Sequence, residues 1–89
     1  MSPMPTIAQF YGITVLMYYD DHPPPHVHAR YAGWNAQFDI ATGDPISGTL
    51  PRRAARLVKE WIELHREALA ANWARRERGE QIERIEGLE

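Results

Sequence analysis

Polar and apolar residues alternate twice in succession between residues 26 and 40. His26 to Tyr31 alternates, Trp34 to Ile40 alternates, and only Ala32-Gly33 lies between the two runs. Period-two alternation marks a strand with one buried face. A two-residue link is the length of a tight hairpin. Counting outward from that link pairs Tyr31 with Trp34, Ala29 with Ala36 and Val27 with Phe38, all on one apolar face. The other face pairs Arg30 with Asn35, His28 with Gln37 and His26 with Asp39. A slip of one residue would mix the faces, so the pattern predicts the register as well as the hairpin.

The flanking segments fill out the architecture. Thr14 to Tyr19 is β-branched, aromatic and almost continuously apolar, which predicts a strand covered on both faces or central in its sheet. Ile7 to Phe10 predicts a short strand before a break at Gly12. Thr42-Gly43-Asp44-Pro45 reads as a turn, and Ile46 to Thr49 as a further strand. Pro51 then opens a long helix, since proline is tolerated at a first helical position. Leu57, Trp61, Leu64 and Ala68 form one row at helical spacing; Val58, Ile62, Leu69 and Trp73 form the adjacent row. Gly79 is the predicted stop, and Arg75, Arg76 and Arg78 suit the negative end of the helix dipole. Ile82 and Ile85 predict a short closing edge strand. The expected fold class is α+β: a small antiparallel β-sheet of three to four strands packed against one long C-terminal α-helix.

Composition narrows the class. The chain has 89 residues, which allows a single domain over 1–89. There is no cysteine, which excludes a disulfide framework, a zinc ribbon and a thiol nucleophile. No apolar run approaches the ~20 residues that span a bilayer. The N-terminus lacks the basic and apolar regions of a secretory signal. The expected location is therefore cytoplasmic, with no membrane partner. A net charge of −2 does not suggest bulk coating of nucleic acid. The distribution is uneven, however: the first half has only Arg30 as a full cation, whereas Arg52, Arg53, Arg56 and Lys59 open the second half.

The chemistry is concentrated in His22-Pro23-Pro24-Pro25-His26-Val27-His28, just after Asp20 and Asp21. Imidazole titrates near neutral pH and ligates metals, and consecutive prolines leave the backbone little freedom. One reading is a metal site in which His22, His26 and His28 bind zinc, manganese or iron. Asp20, Asp21 or Asp39 would add oxygen ligands. The preferred reading needs no metal or other cofactor. His26 acts as general base oriented by Asp39 or Asp21, His28 acts as general acid, and Arg30 holds an anionic oxygen. Arg52, Arg53 and Arg56 crowd the start of the helix, where free N–H groups also attract anions. Arg52 and Arg53 are therefore expected to hold an anion, either RNA phosphates or an acidic protein partner. His65 rides on the apolar stripe and reads first as a partly buried histidine, with an alternative role facing the same cleft.

Longer stretches resemble a known family. These are Met4 to Ile13, Tyr18 to His28, Leu50-Pro51-Arg52-Arg53-Ala54, Trp61 to Glu67, and Asn72-Trp73. Together they resemble a bacterial family catalogued as a domain of unknown function, number forty-one sixty, across essentially the whole chain. The resemblance implies that Met1 to Pro3 are an N-terminal extension. It maps Asp21, His22, Pro24, His26, His28, Arg52, Arg53, His65, Asn72 and Trp73 onto family positions. It also implies one half of a two-gene module resembling a type II toxin–antitoxin pair, with this half as the toxin and a small antitoxin-like protein as its partner. The expected function is thus a toxin acting on RNA or translation through its histidines. A non-catalytic binding or regulatory partner and a metal-dependent hydrolase are the alternatives.

Overall fold

The computed structural model describes residues 5–89; the N-terminal extension expected at 1–3 lies outside them. Five strands run in chain order as one antiparallel meander: β1 (Thr6–Phe10), β2 (Ile13–Leu16), β3 (His26–Tyr31), β4 (Trp34–Asp39) and β5 (Pro45–Thr49). Two helices follow, α1 (Arg52–Leu64) and α2 (Arg66–Glu77). The class is α+β. The strand count exceeds three to four, and the single long helix is divided.

The β3–β4 register pairs Tyr31 with Trp34, Val27 with Phe38, and His26 with Asp39. Ala32 and Gly33 both take positive φ, +47° and +85°. Two left-handed residues in a two-residue link match the right-handed twist of the strands they join. Tyr11 and Gly12 repeat this device at φ +49° and +80°, so Gly12 links β1 to β2 rather than ending the sheet. β5 completes the count by pairing with β4.

One face of the sheet carries Ala8, Phe10, Ile13, Val15, Val27, Ala29, Ala36 and Phe38 into the core, where they meet Val58, Trp61, Ile62, Leu69 and Trp73 of the helices. The helix break has a dimensional cause. A straight helix over 52–77 would run roughly 39 Å at ~1.5 Å per residue. The longest extent of the fold is 34 Å. At His65 the backbone leaves helical geometry (φ −119°, ψ 26°), and its N–H is shared between the carbonyls of Trp61 and Ile62. The chain turns there and stays on the core. Leu64, expected on an apolar row, falls on the outside of the bend and is 66% exposed. Ala68 of the same row is also exposed.

The helix stop at Gly79 has a full hydrogen-bonded cap. The Gly79 N–H donates to Arg76 O and the Glu80 N–H to Arg75 O, with Gly79 at φ +71°. This double bond is the Schellman arrangement. Beyond it the chain forms no edge strand. Residues 80–89 run as an irregular strap across the core. Ile85 N–H donates to Ile7 O at 2.7 Å. Trp61 Nε1 donates to Glu86 O at 2.8 Å. Asn72, fully buried, grips Glu83 at both backbone groups: Nδ2 donates to the carbonyl and Oδ1 accepts from the N–H. Ile82, Ile85 and Leu88 pack half-buried against the core.

Asn72→Ala should therefore lower stability by about 2–3 kcal/mol, because two Glu83 backbone groups lose their partners. Urea unfolding measures the loss. Hydrogen exchange should show the amides of Ile82, Glu83 and Ile85 losing protection first.

Candidate functional site

His26 and His28 lie two residues apart on β3, so both project from the face opposite Val27 and Ala29. The segment from residue 17 to 25 crosses in front of them and delivers a carboxylate. Asp21 Oδ2 lies 2.9 Å from His28 Nε2 and 3.3 Å from His26 Nε2. The two imidazole rings are 5.2 Å apart between centroids. The donor atoms of Asp21, His26 and His28 all fall within 4.8 Å of one another.

His26 is buried at 4% exposure, and both ring nitrogens are accounted for. Nδ1 is 2.7 Å from the carbonyl oxygen of Pro24, which can only accept, so Nδ1 carries a proton. That bond fixes the tautomer and aims Nε2 at Asp21. The prolines supply the carbonyl, across a cis Pro23–Pro24 bond. Pro25 O also accepts the Ile40 N–H, which ties the loop to the end of β4.

Arg76 on α2 holds the loop from behind. Its Nη1 donates to the carbonyls of both Tyr19 and Asp21 at 2.8 Å. Its guanidinium carbon sits 3.8 Å over the Trp73 ring, a cation–π geometry. Trp73 in turn packs on the His26 ring, with centroids 5.4 Å apart. A stack of Arg76, Trp73 and His26 thus links helix, loop and strand. Tyr19 contributes too, its hydroxyl accepting from the Ile82 N–H of the strap.

On the solvent side the site opens onto the sheet. A shallow cavity of about 200 Å³ is lined by Tyr18, His28, Arg30, Asn35, Gln37 and Ser47, among others. Arg30 Nη2 donates to the Tyr18 hydroxyl at 2.8 Å, and the Tyr18 ring stands edge-on to His28 at 4.6 Å. His28 therefore belongs both to the Asp21 group and to the cavity wall.

The residues singled out in the sequence divide into two sets. Asp21, His26, His28 and Arg30 come together. His22 is exposed, with its ring 6.4 Å from that of His26, and it is outside the converging set. Asp39 is opposite His26 in the ladder but does not orient it. Its Oδ1 accepts from the N–H groups of Ala41 and Thr42 and shapes the turn after β4. Arg52 and Arg53 are exposed at the start of α1. Arg53 lines a different cavity with Tyr11, Ile13, Tyr31 and Leu57. Tyr31 ends the strand that His26 begins, some 17 Å away at ~3.3 Å per residue. His65 stacks on Trp61 at the helix bend, 5.6 Å between centroids, and does not face the cleft. Arg76 was legible only as a charge near a helix end. Its spacing from Leu69, Asn72 and Trp73 places it on the same helix face, but nothing local names its carbonyl partners.

The family described as a domain of unknown function, DUF4160, matches over residues 12–74. The chain belongs to that family. The DUF4160 match contains Asp21, His26, His28, Arg30 and Trp73, whereas Arg76 and the strap lie past its end. Neither a curated protein nor a solved structure matches the chain. No helix among the described residues is long and apolar enough to cross a membrane.

Replacing Arg76 by Met keeps much of the stacking length but removes both donors. The carbonyls of Tyr19 and Asp21 then lose a charged partner, and about 2–3 kcal/mol of stability should go with it. Chemical denaturation reads the loss. The ring ¹⁵N resonances of His26 and His28 should shift as Asp21 moves.

Proposed function

We propose that the chain is the growth-inhibiting half of a two-gene toxin–antitoxin module and that it cleaves RNA on the open face of its sheet. One observation carries the reading: His28 and Arg30 stand side by side in a cavity that Asn35, Gln37 and Ser47 also line, with Asp21 and His26 behind them. A guanidinium beside imidazole and carboxylate is a combination suited to phosphodiester cleavage, in which negative charge develops on phosphate oxygens. Arg30 binds the phosphate, held in place by Tyr18. Asn35, Gln37 and Ser47 offer amide and hydroxyl groups to base edges, which are accessible in single-stranded RNA. The Asp21, His26 and His28 group takes the proton of the attacking ribose 2′-hydroxyl; that oxygen bonds to phosphorus as the bond to the 5′ oxygen breaks, and the departing oxygen takes a proton from water. Arg52 and Arg53 have no part in this site, in contrast to the expectation from sequence.

A non-catalytic role in the same module is the second reading. Exposed Tyr11, with Arg53 and Leu57, lines a separate cavity of about 330 Å³ at the other end of β3, a surface suited to a protein partner.

Induced expression should arrest growth, and co-expression of the neighbouring gene product should relieve the arrest. His28→Ala and Arg30→Ala should each slow cleavage of a single-stranded RNA by about 10²-fold. The Arg52→Ala, Arg53→Ala double variant should cleave at the wild-type rate. Equal arrest by wild type and His28→Ala would remove the catalytic reading and leave the binding one.

A further inference from the structure

We infer that Asp21 Oδ2, His26 Nε2 and His28 Nε2 form a binding site for one divalent transition-metal ion of the zinc, manganese or iron class. The first ground is electrostatic. The Pro24 carbonyl holds the Nδ1–H of His26, so Nε2 is the ring nitrogen left to face the Asp21 carboxylate, 3.3 Å away. At that spacing, beside a ring only 4% exposed, the nitrogen lone pair and the carboxylate need a positive centre between them, a proton or a metal ion. A second imidazole nitrogen reaches the same oxygen at 2.9 Å.

The second ground is metric. Metal–ligand bonds of about 2.0–2.1 Å put donor atoms roughly 3.3 Å apart in a tetrahedral site and roughly 3.0 Å apart at adjacent octahedral positions. The observed 3.3 and 2.9 Å fall within the range these geometries span, and all three donor atoms lie within 4.8 Å of one another. Two histidines and one carboxylate are also a donor set that leaves further positions for water and substrate.

The third ground is the surrounding shell. Ligating histidines generally donate their other ring N–H to a carbonyl or carboxylate, as His26 does to Pro24. Arg76 fixes the Asp21 backbone, and Trp73 fixes the His26 ring. This ligand set differs from the three histidines considered from sequence alone: Asp21 takes the place of His22. The ion's role in RNA cleavage rests on the function proposed above, but its binding does not.

The test uses the full chain purified without an affinity tag and freed of metal by chelation. Zinc sulfate titrated into it should bind one ion per chain by calorimetry. Cobalt(II) should give the visible absorption of a low-coordinate nitrogen–oxygen site. Asp21→Asn, nearly isosteric, and His28→Ala, half-exposed, should each weaken zinc binding by about 10²-fold while keeping the wild-type circular dichroism. His22→Ala should bind as wild type does. Absence of stoichiometric zinc or cobalt binding, or equal affinity in Asp21→Asn, overturns the inference. RNA cleavage undiminished in the chelated protein would overturn the ion's role there and leave the proposed function standing. Tight zinc binding without cleavage would do the reverse.

Discussion

Everything distinctive about the site depends on where the Arg76 guanidinium sits. It reaches from α2 to two carbonyls more than fifty residues away in sequence, those of Tyr19 and Asp21. Its flat face rests on Trp73, and Trp73 rests on His26. A buried charge is tolerated only with partners. Its Nη1 has two, while its Nε finds none among the described residues. One nitrogen serves both carbonyls of the loop, while the planar guanidinium lies flat on Trp73, a stacking that a lysine ammonium does not offer. With the loop pinned, the Asp21 carboxylate stands where both β3 histidines reach it.

The bend at His65 makes that contact available. α1 lies against the sheet and contributes Val58, Trp61 and Ile62 to the core. Continuing straight at ~1.5 Å per residue would place Arg76 roughly 36 Å from Arg52, beyond the 34 Å long axis of the fold. Bending returns them to the start of β3. The strap then seals the join. Its contacts are backbone groups gripped by the buried side chains of Asn72 and Trp61. A small domain buries a limited share of its surface, so an irregular tail that still packs Ile82, Ile85 and Leu88 enlarges the core without needing another strand to pair with.

The same arrangement sorts the charges. Acid, imidazole and Arg30 share the open face of the sheet, next to amides and a hydroxyl. Arg53 sits with Tyr11 and Tyr31 at the far end of β3. Two surfaces of different character result. One is polar and carries the converging groups. The other is aromatic and basic.

The sequence by itself determined what short-range periodicity can encode. The β3–β4 register followed from a period of two and a two-residue link. Placement of His26 and His28 on one face followed from the same count, and the inward row of Val58, Ile62, Leu69 and Trp73 followed from helical spacing. The tertiary structure decided what depends on length and on distant backbone. The bend at His65 carries no proline or glycine and arises because a straight helix would outrun the core. Ladder pairing sets Asp39 opposite His26, because it fixes which Cα atoms face each other. Pairing does not fix where a short carboxylate turns, and the free N–H groups of Ala41 and Thr42 claimed it. The choice of Asp21 over His22 came from a loop path set by Arg76, whose partners are carbonyl oxygens. Every residue has such an oxygen, so no pattern of side chains could announce which two would be used.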